Sequence, residues 1–358
     1  MVPDPIGVDS LRRVLVVKLR HHGDVLLSSP VFSVLRARAP EAEIDALVYE
    51  DTREMLAGHP AIAQIHSVDR AWKRQGLLTQ ARRESALLAT LRERRYQLVV
   101  HLTNHWRGAW LAKLLRPTWS VAPAVDNPAW KRCFTHVYPL PRHTPRHTVE
   151  ANLDSLRRLG LYPREDEKRV TIVPGAAAEQ RVDGLLAEHG LAPQSFVHLH
   201  PTSRWLFKAW AEESNAHLLR HLHAEGHRIA ITAAPNVREE AIVKRIVEAA
   251  GVEVANLSGR LSLKEMAALS SRARLFIGVD SAPMHIAAAV GTPVVALFGP
   301  SDERVWGPWH VPHRVIAGTQ PCRPCGNDGC GGSKVSECLT TLPVERVMSA
   351  ARELLRSP

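Results

Sequence analysis

No stretch of about 18 uninterrupted apolar residues occurs in this 358-residue chain, so no segment reads as a membrane span. The most apolar region, Phe276 to Gly299, is broken by Asp280, Pro283, His285 and Pro293. The opening stretch MVPDPIGVDSLRR lacks the order of charge and then apolar core that marks a secretory signal. The expected location is therefore the cytoplasm, where cysteines start out reduced. Low-complexity segments are missing, as is any basic-aromatic motif of the kind that reads nucleic acid, which argues against a nucleic-acid-binding protein.

The composition is that of an ordinary globular protein, 45% hydrophobic and 23% charged. At roughly 100–200 residues per domain, this length favours two domains. The net charge of +10 is uneven: residues 1–165 hold 25 Lys+Arg against 16 Asp+Glu, whereas 166–358 hold 21 against 20. A positive field over the first half raises the local concentration of an anionic partner, whether nucleic acid, a membrane surface or a phosphorylated substrate.

Short apolar runs alternate with amphipathic stretches, the rhythm of βαβ units around parallel sheets, which makes the fold class α/β. Strands are expected at Arg13–Lys18, Ile44–Tyr49, Gln97–His101 and Ser120–Ala122, with helices at Leu78–Arg94 and Trp106–Leu115. The rhythm repeats with strands at Val170–Val173, Phe196–Leu199, Arg228–Thr232, Leu275–Val279 and Val294–Phe298. The segment LYPREDEK, Leu161–Lys168, combines a proline with a charge run and reads as the boundary. The expected domains are 1–165 and 166–342, followed by a helix within 343–358 that packs back on the first domain.

Ligands of open parallel sheets bind beyond the carboxyl ends of the strands, so strand-to-helix loops are the places to search. In KLRHHGDVLLSSP, Gly23 permits a tight turn and Asp24 has two readings, a helix N-cap or a general base taking a proton from an attacking hydroxyl. In FIGVDSAPMHIAAAVGTPVVALFGPSD, a buried strand ends at Asp280, and Ser281–Ala282 open a helix whose amide N–H groups attract phosphate. The competing reading makes Asp280 or Ser281 a cap. His285 falls one turn further along the same face.

Of five cysteines, Cys133 stands alone, whereas Cys322, Cys325, Cys330 and Cys338 crowd into PCRPCGNDGCGGSKVSEC. Three readings stay open for that cluster: a structural zinc, a disulfide, or reduced thiols in a Gly-rich loop.

Three stretches, KLRHHGDVLLSSP, HPTSRWLFKAW and FIGVDSAPMHIAAAVGTPVVALFGPSD, resemble in order the signature segments of glycosyltransferase family nine, the bacterial lipopolysaccharide heptosyltransferases. HHGDVLL, HPTSRW and CGNDGCGGSKVSECL are most similar to the heptosyltransferase III subgroup. The resemblance implies a GT-B fold, with two Rossmann-like domains facing across a cleft. The first would bind mainly the acceptor and the second the nucleotide-sugar. It also implies ADP-L-glycero-D-manno-heptose as donor, an inner-core heptose as acceptor, inversion at the anomeric carbon, and no metal or cofactor.

By the same resemblance Asp24 matches the catalytic base and Lys208 the phosphate-binding lysine. Thr202, Ser203 and Arg204 match the polar loop beside the phosphates. Asp280 matches the acid that contacts the donor sugar, Ser281 and Ala282 the diphosphate-binding amides, and His285 a nearby donor-site position. Glu239, in preference to Glu240, is the expected ribose contact. For an anionic core acceptor, the basic candidates near the cleft loops are Lys18, Arg20 and Arg107, while His21, His22 and His105 read either as acceptor contacts or as ordinary loop histidines. Arg82, Arg83, Arg92, Arg94 and Arg95 read as a solvated helix face. A nucleotide-sugar enzyme of the same fold using UDP or GDP is the alternative, and contact with the cytoplasmic face of the inner membrane accompanies the lipid-linked acceptor.

Overall fold

A computed structural model describes residues 4–140 and 144–356 of the chain. It divides into two compact units, Met1–Ile172 and Val173–Pro358. The first holds strands β1 Arg13–Val17, β2 Glu43–Tyr49, β3 Gln64–Val68, β4 Leu98–His101, β5 Trp119–Pro123 and β6 His136–Tyr138. They form one sheet in the order β3-β2-β1-β4-β5-β6, with every pairing parallel. The second holds β7 Phe196–His200, β8 Arg228–Ile231, β9 Ala255–Asn256, β10 Leu275–Val279, β11 Val294–Phe298 and β12 His313–Ala317, again parallel, in the order β12-β11-β10-β7-β8-β9. Within each unit the first strand lies beside the fourth, and the chain winds outward from that pair in both directions. That is the Rossmann order with its switch point between β1 and β4, and between β7 and β10.

The inner strands are mostly apolar and buried because helices cover both faces of a parallel sheet, and the few polar side chains they carry, such as Asp45, His198 and His200, are buried with hydrogen-bond partners. β7, β10 and β11 are buried at every residue. All eight inner strands coincide with strands expected from the sequence, to within one residue at each end. The four unexpected strands, β3, β6, β9 and β12, are the four sheet edges. An edge strand is packed on fewer sides and tolerates the polar residues of QIHSV and HRVIA, which hide its signature.

The expected strand at Val170–Val173 does not form. Side chains serve its backbone in place of a neighbouring strand: Thr171 N–H donates to Ser29 Oγ at 2.8 Å, and Lys264 Nζ donates to the carbonyl of Val173. The charge run 161–168 belongs to the first unit, where Arg38 donates twice to the buried Glu167 carboxylate, at 2.6 and 2.9 Å. The division of the chain follows Ile172.

The terminal helix Val344–Arg356 differs from expectation in its partner. Its apolar face, with Val347, Met348, Ala351 and Leu354, is buried within the second unit beside Leu218 and Leu222. Residues 357 and 358 of the expected segment lie outside the described residues. No helix among the described residues is long and apolar enough to cross a membrane.

Arg94 also departs from expectation: its guanidinium donates at 2.8 and 3.1 Å to the fully buried carboxylate of Asp45. Tyr96 donates to the same carboxylate at 2.7 Å. A buried carboxylate persists only when paired and hydrogen-bonded in this way.

Candidate active site

In the first unit β1 ends at Val17 and leads into the helix His22–Leu26, with His21 at its N-cap. Asp24 lies inside the first turn of that helix, so the capping reading of this residue is set aside. Gly23 takes helical geometry and does not make the expected tight turn. The Asp24 side chain is 14% exposed, and the guanidinium of Arg20 approaches it at 3.6 Å. The Arg20 carbonyl accepts from Arg70 at 3.0 Å, and His22 Nε2 meets the carbonyl of Asp51 at 2.7 Å. Arg20, His21, His22 and Asp24 therefore form one group at the carboxyl end of β1, beside the switch point.

Two expected acceptor contacts, Lys18 and Arg107, are engaged by partners within the unit. Lys18 is 5% exposed, its ammonium donating to the Leu102 carbonyl at 3.2 Å and to Asn152 Oδ1 at 2.9 Å. Burial pulls its pKa down to about 8 against the opposing pull of Asp24. Arg107 is tied to Glu84 on the adjacent helix Leu77–Glu93. Behind this site lies His101, whose burial holds its pKa down at about 3. Gly108 allows the helix Trp106–Leu115 to lie directly on that ring, because any β-carbon there would collide with the imidazole.

The second unit assembles its candidates around the β7/β10 switch point. From β7 the chain passes Thr202, Ser203 and Arg204 to the short turn Leu206–Lys208. From β10 it passes Asp280 into the helix Ala282–Ala289. The two loops meet in an ion pair, Lys208 Nζ to Asp280 Oδ2 at 2.6 Å, with the carboxylate 6% and the lysine 22% exposed. Ser281 occupies the N-cap position but its hydroxyl turns back to the Val279 carbonyl at 3.1 Å, so no side chain caps the helix. The capping reading of Asp280 and Ser281 is thereby set aside, and the uncapped turn has the donors and dipole that favour an anion. His285 is buried a turn further on, its ring 6.5 Å from that of Trp306.

Thr202 is fully buried, and its hydroxyl donates to Glu239 Oε2 at 2.7 Å. Glu239 is 6% exposed in the first turn of Val237–Ala250, while Glu240 points outward beside Gly259. A carboxylate keeps further acceptor sites after one such bond. Ser203 Oγ accepts from the Trp205 amide at 3.3 Å, and Arg204 is exposed with its guanidinium 5.4 Å from the Trp205 ring.

Lys208 also lines an open pocket of about 460 Å³, whose wall includes Asp302, Trp306 and the segment Pro324 to Asn327. This wall was not foreseen from the sequence. It is positioned by Arg323, 8% exposed, which donates to the carbonyls of Gly299 at 2.6 Å and Gly318 at 3.1 Å and pairs with Glu303 at 3.0 Å. Gly299 and Gly318 immediately follow β11 and β12, so a carboxyl-end position was the available signal. The cysteine segment thus joins the edge of the nucleotide-sugar candidate site. Its thiols are unpaired, Cys338 buried and Cys322, Cys325 and Cys330 exposed. No three His, Cys, Asp or Glu side chains among the described residues converge as a metal would require.

The family model of glycosyltransferase family 9 (heptosyltransferase) matches residues 85–335. Lipopolysaccharide heptosyltransferase 3 of Escherichia coli strain K12 is 32% identical over 347 residues, 94% of this chain and 96% of the relative. A crystal structure of a family 9 glycosyl transferase from Veillonella parvula matches at a TM-score of 0.84 and 23% identity, covering 98% of this chain and 99% of that one. The E. coli heptosyltransferase WaaC with ADP-2-deoxy-2-fluoro heptose matches at a TM-score of 0.71 and 20% identity, covering 95% and 99%.

Proposed function

The chain belongs to glycosyltransferase family 9 and has its GT-B class of fold, and from that premise we propose that it transfers L-glycero-D-manno-heptose from ADP-heptose to a heptose of the lipopolysaccharide inner core. The observation that carries the reading is the 2.6 Å pair of Lys208 and Asp280 beside an uncapped helix N-terminus at the β7/β10 switch point. A fixed cation and free amides suit a diphosphate, and a buried carboxylate next to them suits the hydroxyls of its sugar.

The chemistry is a single displacement. The acceptor oxygen attacks the anomeric carbon and gives its proton to the Asp24 carboxylate. The bond from that carbon to the diphosphate breaks, its electron pair leaves with ADP, and the configuration inverts. Lys208 and the amides of Ser281 and Ala282 stabilise the charge that builds on the diphosphate, with Arg204 entering from the exposed loop. Thr202 and Ser203 shape that loop, Glu239 accepts from the ribose, and His285 backs the helix that offers the amides. Arg20, His21 and His22 meet the anionic core acceptor near Asp24, whereas Lys18 and Arg107 serve the architecture. The acceptor is lipid-linked, which places the work at the cytoplasmic face of the inner membrane, as a peripheral contact.

Incubation with ADP-heptose and a series of truncated core oligosaccharides, read by mass, tests this function. One acquired heptose with release of ADP is the expected result. Transfer only from a UDP- or GDP-sugar would overturn the donor assignment.

A further inference from the structure

The basic excess of the first half is local. Residues 70–116 hold 11 Lys+Arg against 2 Asp+Glu, whereas the rest of residues 1–165 holds 14 against 14. The same segment carries five large apolar side chains on the outside of the first unit. On the helix Trp106–Leu115, Trp106, Trp110 and Leu114 recur every four residues and are 41%, 56% and 41% exposed. The opposite face, with Ala109, Leu111 and Ala112, is buried in the unit's core. On the neighbouring helix Leu77–Glu93, Leu77 and Leu78 are 86% and 88% exposed.

The two helices are joined side by side by the Arg107–Glu84 pair and by Arg92, which donates to the Leu114 carbonyl at 3.4 Å. Both contacts pair residues in the same chain direction, so the two amino-terminal ends lie at the same end of the surface. Exposed Arg74, Arg82, Arg83, Lys113 and Arg116 are interleaved with the apolar residues.

We propose that this face docks the first unit on an anionic phospholipid surface. Tryptophan rings and leucines enter the boundary between headgroups and acyl chains, while arginines and lysines pair with phosphates above them. The occupant follows from the charge: an apolar surface framed by a cluster of one sign suits a partner with an apolar layer beneath an opposite charge. The proposal deepens the reading of a lipid-linked acceptor, on which it rests for its purpose, by naming the surface that brings the enzyme to that lipid.

The test is flotation with vesicles of phosphatidylglycerol and phosphatidylcholine, compared with phosphatidylcholine alone. The wild-type chain should partition to the anionic vesicles about tenfold better or more, and less so at high salt. Trp110→Ser with Leu114→Ser, and separately Arg82→Glu with Arg83→Glu and Lys113→Glu, should each cut that partitioning about tenfold or more. Turnover on a lipid-free core oligosaccharide should be unchanged in both, and an unchanged thermal midpoint verifies independently of transfer that they fold.

Equal partitioning of wild type and variants overturns the proposal. So does a stable dimer in solution that Trp110→Ser dissociates, because a second copy then owns the face. Vesicle binding is read without any transfer, so a failure of the donor or acceptor assignment leaves this result legible.

Discussion

Removing the cation from the Lys208–Asp280 pair is the perturbation whose size the structure constrains best. At 2.6 Å and an effective dielectric near 20, the gross attraction is about 6 kcal/mol. Much of that is cancelled by desolvation of a carboxylate only 6% exposed, and the lysine at 22% retains some water. Lys208→Met leaves the carboxylate buried and unpaired, so it should cost about 2–3 kcal/mol and lower the second unit's Tm by about 5–10 °C. Asp280→Asn leaves a more exposed ammonium that retains some water and should cost less. In the double variant no unpaired charge remains, and a coupling energy of about 2 kcal/mol should separate it from the sum of the singles.

Ligand binding follows the same pair. Lys208→Met should weaken ADP about tenfold or more, the worth of one charge-assisted hydrogen bond. Asp280→Asn frees the ammonium, so ADP affinity should hold or rise while the extra affinity of ADP-heptose over ADP shrinks. Chemical denaturation gives the stabilities and calorimetry the affinities. Stability effects that add within about 0.5 kcal/mol would refute the coupling, and equal losses for ADP and ADP-heptose in Asp280→Asn would refute its contact with the sugar.

Acid should loosen both units, because burial pulls the histidines down, His101 and His198 to about 3 and His200 to about 4. Their unfolded values lie near 6.5, so between there and about 4 the unfolded chain binds more protons and stability falls as pH falls. Each histidine should cost about 2 kcal/mol by pH 5, and a denaturant midpoint unchanged from pH 7 to pH 5 would contradict this. Alkylation should reach exposed Cys322, Cys325 and Cys330 first and Cys338 last, since burial raises the Cys338 pKa; one equivalent of tightly held zinc would contradict this order. Turnover should survive chelation by EDTA, and its loss with recovery on adding a divalent cation would show that Lys208 and the amides need help.

The eight inner strands were legible because a parallel sheet covered on both faces writes a short, predominantly apolar run, as in LFIGV and VVALF. The edges wrote no such signal. HVY and AN are too short, and HRVIA is half exposed. Among candidate site residues, Asp24 and Asp280 were legible from their places in loops that follow apolar strands, whereas Lys208, in the turn Leu206–Lys208 well beyond the end of β7, was legible only through the family resemblance. What one basic residue touches was not: Lys18 lies one residue beyond β1 and is drawn inward by Asn152, a residue far along the chain. The wall from Pro324 to Asn327 was hidden for a similar reason, since its position depends on Arg323 reaching two carbonyls after separate strands. Sequence spacing carries the periodicity of an element but not the partners that folding brings to its end.

The most direct test of the central claim, that the loop after β1 supplies the base while the second unit holds the donor, is a donor titration of Asp24→Asn alongside its turnover. The account predicts an unchanged Kd for ADP-heptose with kcat reduced about 10²–10⁴-fold, the usual contribution of a positioned base. Unchanged turnover, or a loss that appears wholly as weaker donor binding, would contradict it.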